Sequence, residues 1–218
     1  QYFPASITKI MTALIVIEKC SLDETVTFSH NAVFNVEAGS SNAGINEGDK
    51  LSVKDCLYAL LLKSANESAN ALAEHVAGST EAFADMMNAK AKELGCTDTH
   101  FANPSGLNNP EHYTSTYDMA LIARAAFLNP TFEEIDSTTY YKLPPNSINP
   151  EGLTIYPGHK MLKKSTPYYY PGIVGGKTGY TTLAGNTLVT CARKNGLKLI
   201  AVILKGSTPQ YWTDTKNL

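Results

Sequence analysis

The chain has 218 residues, 43% of them hydrophobic and 17% charged, with 18 basic against 20 acidic side chains and a formal net charge of -2. That composition is rich enough in apolar residues to build a core and lies far from the highly charged, weakly hydrophobic chains that stay unfolded. It offers no basic field for nucleic acid, since no run of like charge exceeds Lys163-Lys164, and nucleic acid is excluded as a partner.

In chain order, Ile7, Ile10, Met11, Leu14, Ile15 and Ile17 make the segment from Ser6 to about Cys20 apolar on nearly all sides, the signature of a helix buried in mid-domain. A second helix is predicted from Val53 to Lys63 with Ser52 as N-cap, and it ends before Ser64-Ala65-Asn66. Those three residues fall on the connection to a helix from Ser68 to Ala77. Ser79 or Thr80 caps the next, which runs to Leu94 with Gly95 as its stop. Ser115 and Asp118 form a capping-box-like start for Tyr117 to Phe127, which Asn129-Pro130 ends.

Beyond residue 137 the character changes. Thr138 to Leu143, Gly172 to Thr182, Asn186 to Ala192 and Leu197 to Leu204 are short, β-branched or aromatic, and bounded by turns; Asn195-Gly196 makes the last pair a hairpin. Helices first and antiparallel strands last imply an α+β fold in one cooperative unit. The apolar stretches Ile10 to Ile17 and Leu57 to Leu62 are far shorter than the ~18 residues that cross a bilayer. Cys20, Cys56, Cys96 and Cys191 lie inside apolar segments at spacings suited neither to zinc nor to a disulfide framework, and read as buried thiols.

Three short motifs carry chemistry: Ser6-Ile7-Thr8-Lys9, Ser64-Ala65-Asn66 and Lys177-Thr178-Gly179. Each alone is weak, but their order, at a helix start, between two helices and at a strand start, lets all three face one cleft. A serine in the first turn of a helix and a lysine three residues on share a face, so the amine reaches the hydroxyl. Such a lysine is a base only when neutral, which burial and a second cation, here Lys177, both favour. The helix N-terminus and the amide of Tyr180 could together hold an oxyanion. No histidine among His30, His75, His100, His112 and His159 has a partner at metal-site spacing such as H-E-x-x-H, so no metal or other cofactor is called for.

The segments Pro4 to Thr12, Leu61 to Ala73, His100 to Leu107 and Gly176 to Thr181 closely resemble the serine D-alanyl-D-alanine carboxypeptidases, the low-molecular-mass penicillin-binding proteins of peptidase family S11. The resemblance implies a DD-peptidase/β-lactamase-like α+β fold, with an antiparallel sheet packed against helices beside an all-helical subdomain. It further implies Ser6 as acylated nucleophile, Lys9 as its base and Ser64 as a proton relay. Asn66 would bind the substrate amide, and Lys177 and Thr178 the terminal carboxylate. Gly179 would let the substrate pair along the strand, with the amides of Ser6 and Tyr180 on the oxyanion. The implied substrate is the D-Ala-D-Ala end of a peptidoglycan stem peptide, with β-lactams as covalent inhibitors. The implied place is the extracytoplasmic cell envelope, in peptidoglycan biosynthesis and cell shape; any membrane association would come through segments not in this chain.

The same resemblance leads to three further expectations. Residues 1–218 would be a single DD-carboxypeptidase domain without the family's N-terminal strands or its C-terminal domain, those strands being cropped, cleaved or supplied by another chain. The family's C-terminal helix would lie beyond Leu218. The arginine usually offered to the substrate carboxylate has no counterpart in Gly206 to Asp214, where Tyr211 stands, and Arg124 and Arg193 read as structural. A catalytically weak relative that only binds cell-wall peptide or β-lactam is therefore the alternative, and a β-lactamase the closer enzymatic rival. Tyr168-Tyr169-Tyr170 reads as a packed loop and His112 as a surface or packing residue.

Overall fold

The structure is a computed structural model that describes residues 1–218. A 3-10 turn, Ala5–Thr8, runs straight into α1 (Lys9–Lys19), and a short ribbon pairs β1 (Thr25–Thr27) with β2 (Lys50–Ser52) around α2 (His30–Phe34). Helices α3 (Val53–Leu62), α4 (Asn66–Ala77), α5 (Thr80–Glu93), α6 (Thr116–Leu128) and α7 (Pro130–Asp136) follow. A second ribbon, β3 (Tyr141–Leu143) with β4 (Leu153–Ile155), and a 3-10 turn Lys160–Leu162 lead to the main sheet. Its strands β5 (Ile173–Thr181), β6 (Gly185–Lys194) and β7 (Leu197–Gly206) are antiparallel in sequence order, and α8 (Gln210–Asn217) closes the chain.

Helix α1 is apolar all round because neighbours cover it all round: α3, α4, α5, α6 and α7 each pack against it. The sheet divides its side chains by alternation. Val189 and Cys191 of β6 point into the helical core, whereas Leu188 points the other way, onto Met161, Tyr211 and Trp212. The sheet is therefore a layer between the helices and a small cover made by α8 and the 157–171 segment, and β5 lies against the Ala5–Thr8 turn. β7 forms the other edge, with Leu197 and Leu199 exposed. No helix is long and apolar enough to cross a membrane.

The local signals act where the sequence places them. Ser52 and Asp55 make a full capping box, Ser79 caps α5, and Asn195-Gly196 takes positive φ at both positions between β6 and β7. Several expectations are corrected. The serine–lysine segment begins as a 3-10 turn, so Lys9 rather than Ser6 opens the α-helix. Asn129-Pro130 ends α6 but also starts α7, because the Asn129 side chain accepts the Thr131 and Phe132 N–H groups and proline suits the first helical position. Thr138 to Tyr140 do not join a strand, since Ser137 and Thr138 hydrogen-bond back to the Glu134 carbonyl. A helix that the sequence reading did not assign, α8, precedes Leu218, with Trp212 buried. Ser115 caps α6 as expected, but Asp118 turns its carboxylate to the Asp98 N–H and the Thr99 hydroxyl instead of closing a box. All four cysteines are free; Cys56 and Cys191 are buried, while Cys20 and Cys96 are only half-buried.

Candidate active site

Where the Ala5–Thr8 turn, the α3–α4 junction and β5 converge, they enclose a cleft of about 490 Å3 lined by Ser6, Ser64, Asn66, Thr178, Gly179 and Tyr180 among others. Backbone strain marks its rim. Ala5 (φ 51°) and Ser64 (φ 61°) both hold the left-handed conformation that residues with a Cβ avoid, and each aims a serine into the cleft or its wall.

Lys9 is fully buried yet makes three hydrogen bonds: to Ser6 Oγ at 3.1 Å, Asn66 Oδ1 at 2.7 Å and the Ser105 carbonyl at 2.6 Å. All three partners are uncharged, and no carboxylate touches it. Burial, and then the nearby Lys177 charge, hold its amine well below the usual lysine range against a weaker opposing pull from Glu67. An amine depleted of charge and one hydrogen bond from a hydroxyl can take that hydroxyl's proton.

Lys177 projects from β5 and donates to Ser64 Oγ at 2.9 Å and to the Thr178 carbonyl at 2.8 Å. Burial lowers it to about 8, and the Asp136 carboxyl works against that shift. The Ser64-Ala65-Asn66 segment thus holds both amines, Ser64 taking Lys177 and Asn66 taking Lys9. Gly179 brings β5 close against Ser6: a Cβ there would stand 2.7 Å from the Ser6 nitrogen. Tyr180 follows in register with Asn186, its ring exposed.

Six of the eight predicted site residues therefore line one cleft, and the other two, Lys9 and Lys177, are buried in its wall and hydrogen-bonded to Ser6, Asn66 and Ser64. Neither arginine does: Arg193 pairs with Glu133, and Arg124 lies exposed on α6. Tyr211 borders the cleft, as does Lys160, a cation the sequence reading missed because nothing in its spacing ties it to the motifs. The sequence reading also gave no role to Ser105 and its neighbours, although it singled out the segment. Lys9 uses the Ser105 carbonyl, Thr12 the Pro104 carbonyl at 2.7 Å, and Gly106 (φ +84°) lies so close to Ala5 that a Cβ would overlap its carbonyl. Tyr168 stacks on Trp212, which itself borders the cleft, in a packed loop as expected. His112 is buried, not at the surface: one ring nitrogen meets Thr8 Oγ1 at 2.8 Å and the other accepts the Ala102 N–H. Away from the cleft, Cys20, Glu24 and His75 bring their ligand atoms within 4.8 Å of one another, a grouping invisible in the spacing because His75 comes from a distant helix; a His75–Glu24 pair at 2.9 Å joins two of them.

The family model for D-alanyl-D-alanine carboxypeptidases, Peptidase_S11, matches residues 1–208. The chain belongs to this family. It is 35% identical over 212 residues to the D-alanyl-D-alanine carboxypeptidase DacF of Bacillus subtilis, covering 95% of this chain and 52% of that protein. To DacB2 of Mycobacterium tuberculosis it is 34% identical, covering 99% of this chain and 72% of the relative. Among solved structures, the Streptomyces K15 DD-transpeptidase superposes with a TM-score of 0.89 at 31% identity, over 99% of this chain and 85% of that one. The chain thus spans about half the length of DacF. The α+β architecture of this DD-carboxypeptidase family member, antiparallel sheet against helices, is that of the K15 enzyme.

Proposed function

We propose that this family member is a serine-type D-Ala-D-Ala carboxypeptidase that removes the terminal D-alanine from peptidoglycan stem peptides outside the cytoplasmic membrane. The observation that carries the reading is the Lys9 amine, fully buried among uncharged partners and 3.1 Å from Ser6 Oγ. Ser6 Oγ attacks the carbonyl carbon of the bond between the two D-alanines as its proton passes to Lys9 Nζ. The oxyanion forms against the N–H groups of Ser6 and Tyr180, where the first-turn amides have no helical partner and the local dipole is positive. The amide nitrogen then takes a proton, drawn from Lys9 with Ser64 as relay, and D-alanine leaves. Water, deprotonated by Lys9, attacks the Ser6 ester and frees the shortened peptide.

Lys177 and the Thr178 hydroxyl meet the terminal carboxylate, Asn66 the substrate amide, and the open edge of β5 pairs with the substrate backbone as an added strand. A β-lactam enters by the same attack; because its ring opens without releasing a fragment, the acyl group stays and blocks water. A second reading rests on the missing arginine: with the anchor reduced to Lys177 and Thr178, the protein would bind and acylate but turn over weakly. Intact mass with and without benzylpenicillin, together with D-alanine release from a diacyl-D-Ala-D-Ala peptide, separates these. Adduct and release support the carboxypeptidase, adduct without release the weak relative, and hydrolysed penicillin a β-lactamase; no adduct and no release removes the acyl-transfer reading.

A further inference from the structure

One buried ionisable group beside the cleft has no part in the steps above. Asp136 is the last residue of α7, is 2% exposed and sends Oδ2 to the Gly176 N–H at 2.5 Å, its one hydrogen bond. β5 is shaped to receive it. The strand slips register against β6 between Ile173 and Gly175, and the next two positions are both glycine. A Cβ on Gly175 would overlap Asp136 Oδ2, and one on Gly176 (φ +150°) would overlap the Val189 carbonyl. The carboxyl thus plugs a bulged, side-chain-free stretch one residue before Lys177.

A carboxyl this buried, with a single hydrogen bond, costs stability that a hydrophobic residue beside Phe127 would not, so its presence calls for a charge-related task. The charges around it are few. Of the ionisable groups, Lys177 of β5 is the one whose charge bears on Asp136; the Cys191 thiol of β6 senses Asp136 but is held neutral by burial. α1, α3 and α6 also pack on α7 and bring no charge coupled to Asp136. Lys177 itself faces Lys9 from the helical side and His159 from ahead of the second 3-10 turn, and burial keeps His159 neutral with a pKa near 3. Asp136 is consequently the one group set to sustain a positive Lys177.

We propose that Asp136 is a positioning residue that seats the Lys177 strand and keeps the Lys177 ammonium charged for the substrate carboxylate, so that it sets the alkaline limit of acylation. The inference rests on the acyl-transfer reading. Burial pushes Asp136 up to about 7, the Gly176 bond and Lys177 pulling it back, so it is ionised on the alkaline side, where Lys177, near 8, begins to lose its proton. Removing the carboxylate removes the influence that raises Lys177.

The test is the pH profile, from 6 to 10, of the acylation rate constant with a fluorescent penicillin. Wild-type acylation should fall above about pH 8, and in Asp136→Asn the fall should begin about one pH unit lower while the rate at pH 6 stays within about 3-fold of wild type. An unchanged alkaline limb, or an equal loss at every pH, overturns the proposal. Should Asp136→Asn fail to fold, a carbon NMR titration of wild-type protein labelled in the aspartate carboxyls decides it: ionisation near 7 supports the coupling, and a carboxyl still protonated at pH 9 overturns it. Failure of wild type to acylate at any pH counts against acyl transfer alone, and the carbon titration still judges Asp136.

Discussion

The cleft is built from two regions that treat a buried lysine in opposite ways. On the helical side, Lys9 is surrounded by a hydroxyl, an amide oxygen and a backbone carbonyl, with no carboxylate in contact. On the sheet side, Lys177 has a buried carboxyl behind its strand that works to keep it charged. Both lose hydration; Asp136 offsets part of that loss at Lys177, whereas at Lys9 the pull of Glu67 is outweighed by burial and the Lys177 charge together. The first environment favours an uncharged amine and the second a charged one, which is the division of labour that the proposed reading asks of base and anchor.

The sharpest way to break this comparison is to remove each amine in turn. Lys9→Ala should lower the acylation rate by about 10^3–10^4-fold, the range for loss of a general base that also activates the nucleophile, with little recovery at high pH. Lys177→Ala should cost about 10^2–10^3-fold, mostly in KM for a peptide ending in a carboxylate and much less for an amidated peptide. Stopped-flow acylation and steady-state kinetics on the two peptides read both. Equal losses on both peptides for Lys177→Ala would end its role as carboxylate anchor.

A second variant tests what holds the helical side together. Gly106→Ala places a Cβ against the Ala5 carbonyl at a backbone conformation that favours glycine, in the segment whose carbonyls receive Lys9 and Thr12. It should destabilise the fold by about 2–4 kcal/mol and, in whatever folds, slow acylation by displacing Ser6. Denaturant unfolding beside acylation of the surviving native fraction measures both; a stable, fully active Gly106→Ala protein would show that this close approach is not needed.

Much of this was legible in the chain. The Ser6–Lys9 pairing followed from spacing, because three residues along a 3-10 or α turn is local geometry, and the Lys177 strand from its turn-bounded pattern, although Lys177 lies in mid-strand rather than at its start. Most of the helices followed from caps and apolar period, and the last hairpin from Asn195-Gly196. What was not legible depended on contacts remote in sequence. Ser105 acts through a backbone carbonyl that any residue type would supply. Asp136 reads as the polar end of a short helix until β5 is laid against it. Asn129-Pro130 carries one signal for two events, the end of α6 and the cap of α7, and α8 has a polar composition that conceals the buried Trp212.

His112 gives the smallest effect and separates structural from catalytic burial. Its imidazole is enclosed between Thr8 and the Ala102 N–H, just behind the serine–lysine turn, and burial holds its pKa near 3, with His100 and Lys9 adding to the shift. An unfolded histidine titrates near 6.5, so the unfolded chain binds a proton that the folded one refuses. The stability this neutral ring contributes is therefore full above pH 6.5 and is lost as pH falls toward 3. The raised carboxyls, Asp136 and Glu67, act with the opposite sign, being protonated more readily in the folded state, so the wild-type curve alone is a sum of opposed slopes. Subtracting the curve of His112→Asn isolates one of them. Between pH 6 and 4 the two should differ in slope by about 1.4 kcal/mol per pH unit, the linkage value for one proton. Parallel curves from urea unfolding across that range would mean that His112 takes up a proton inside the fold, which the Thr8 and Ala102 contacts leave no room for.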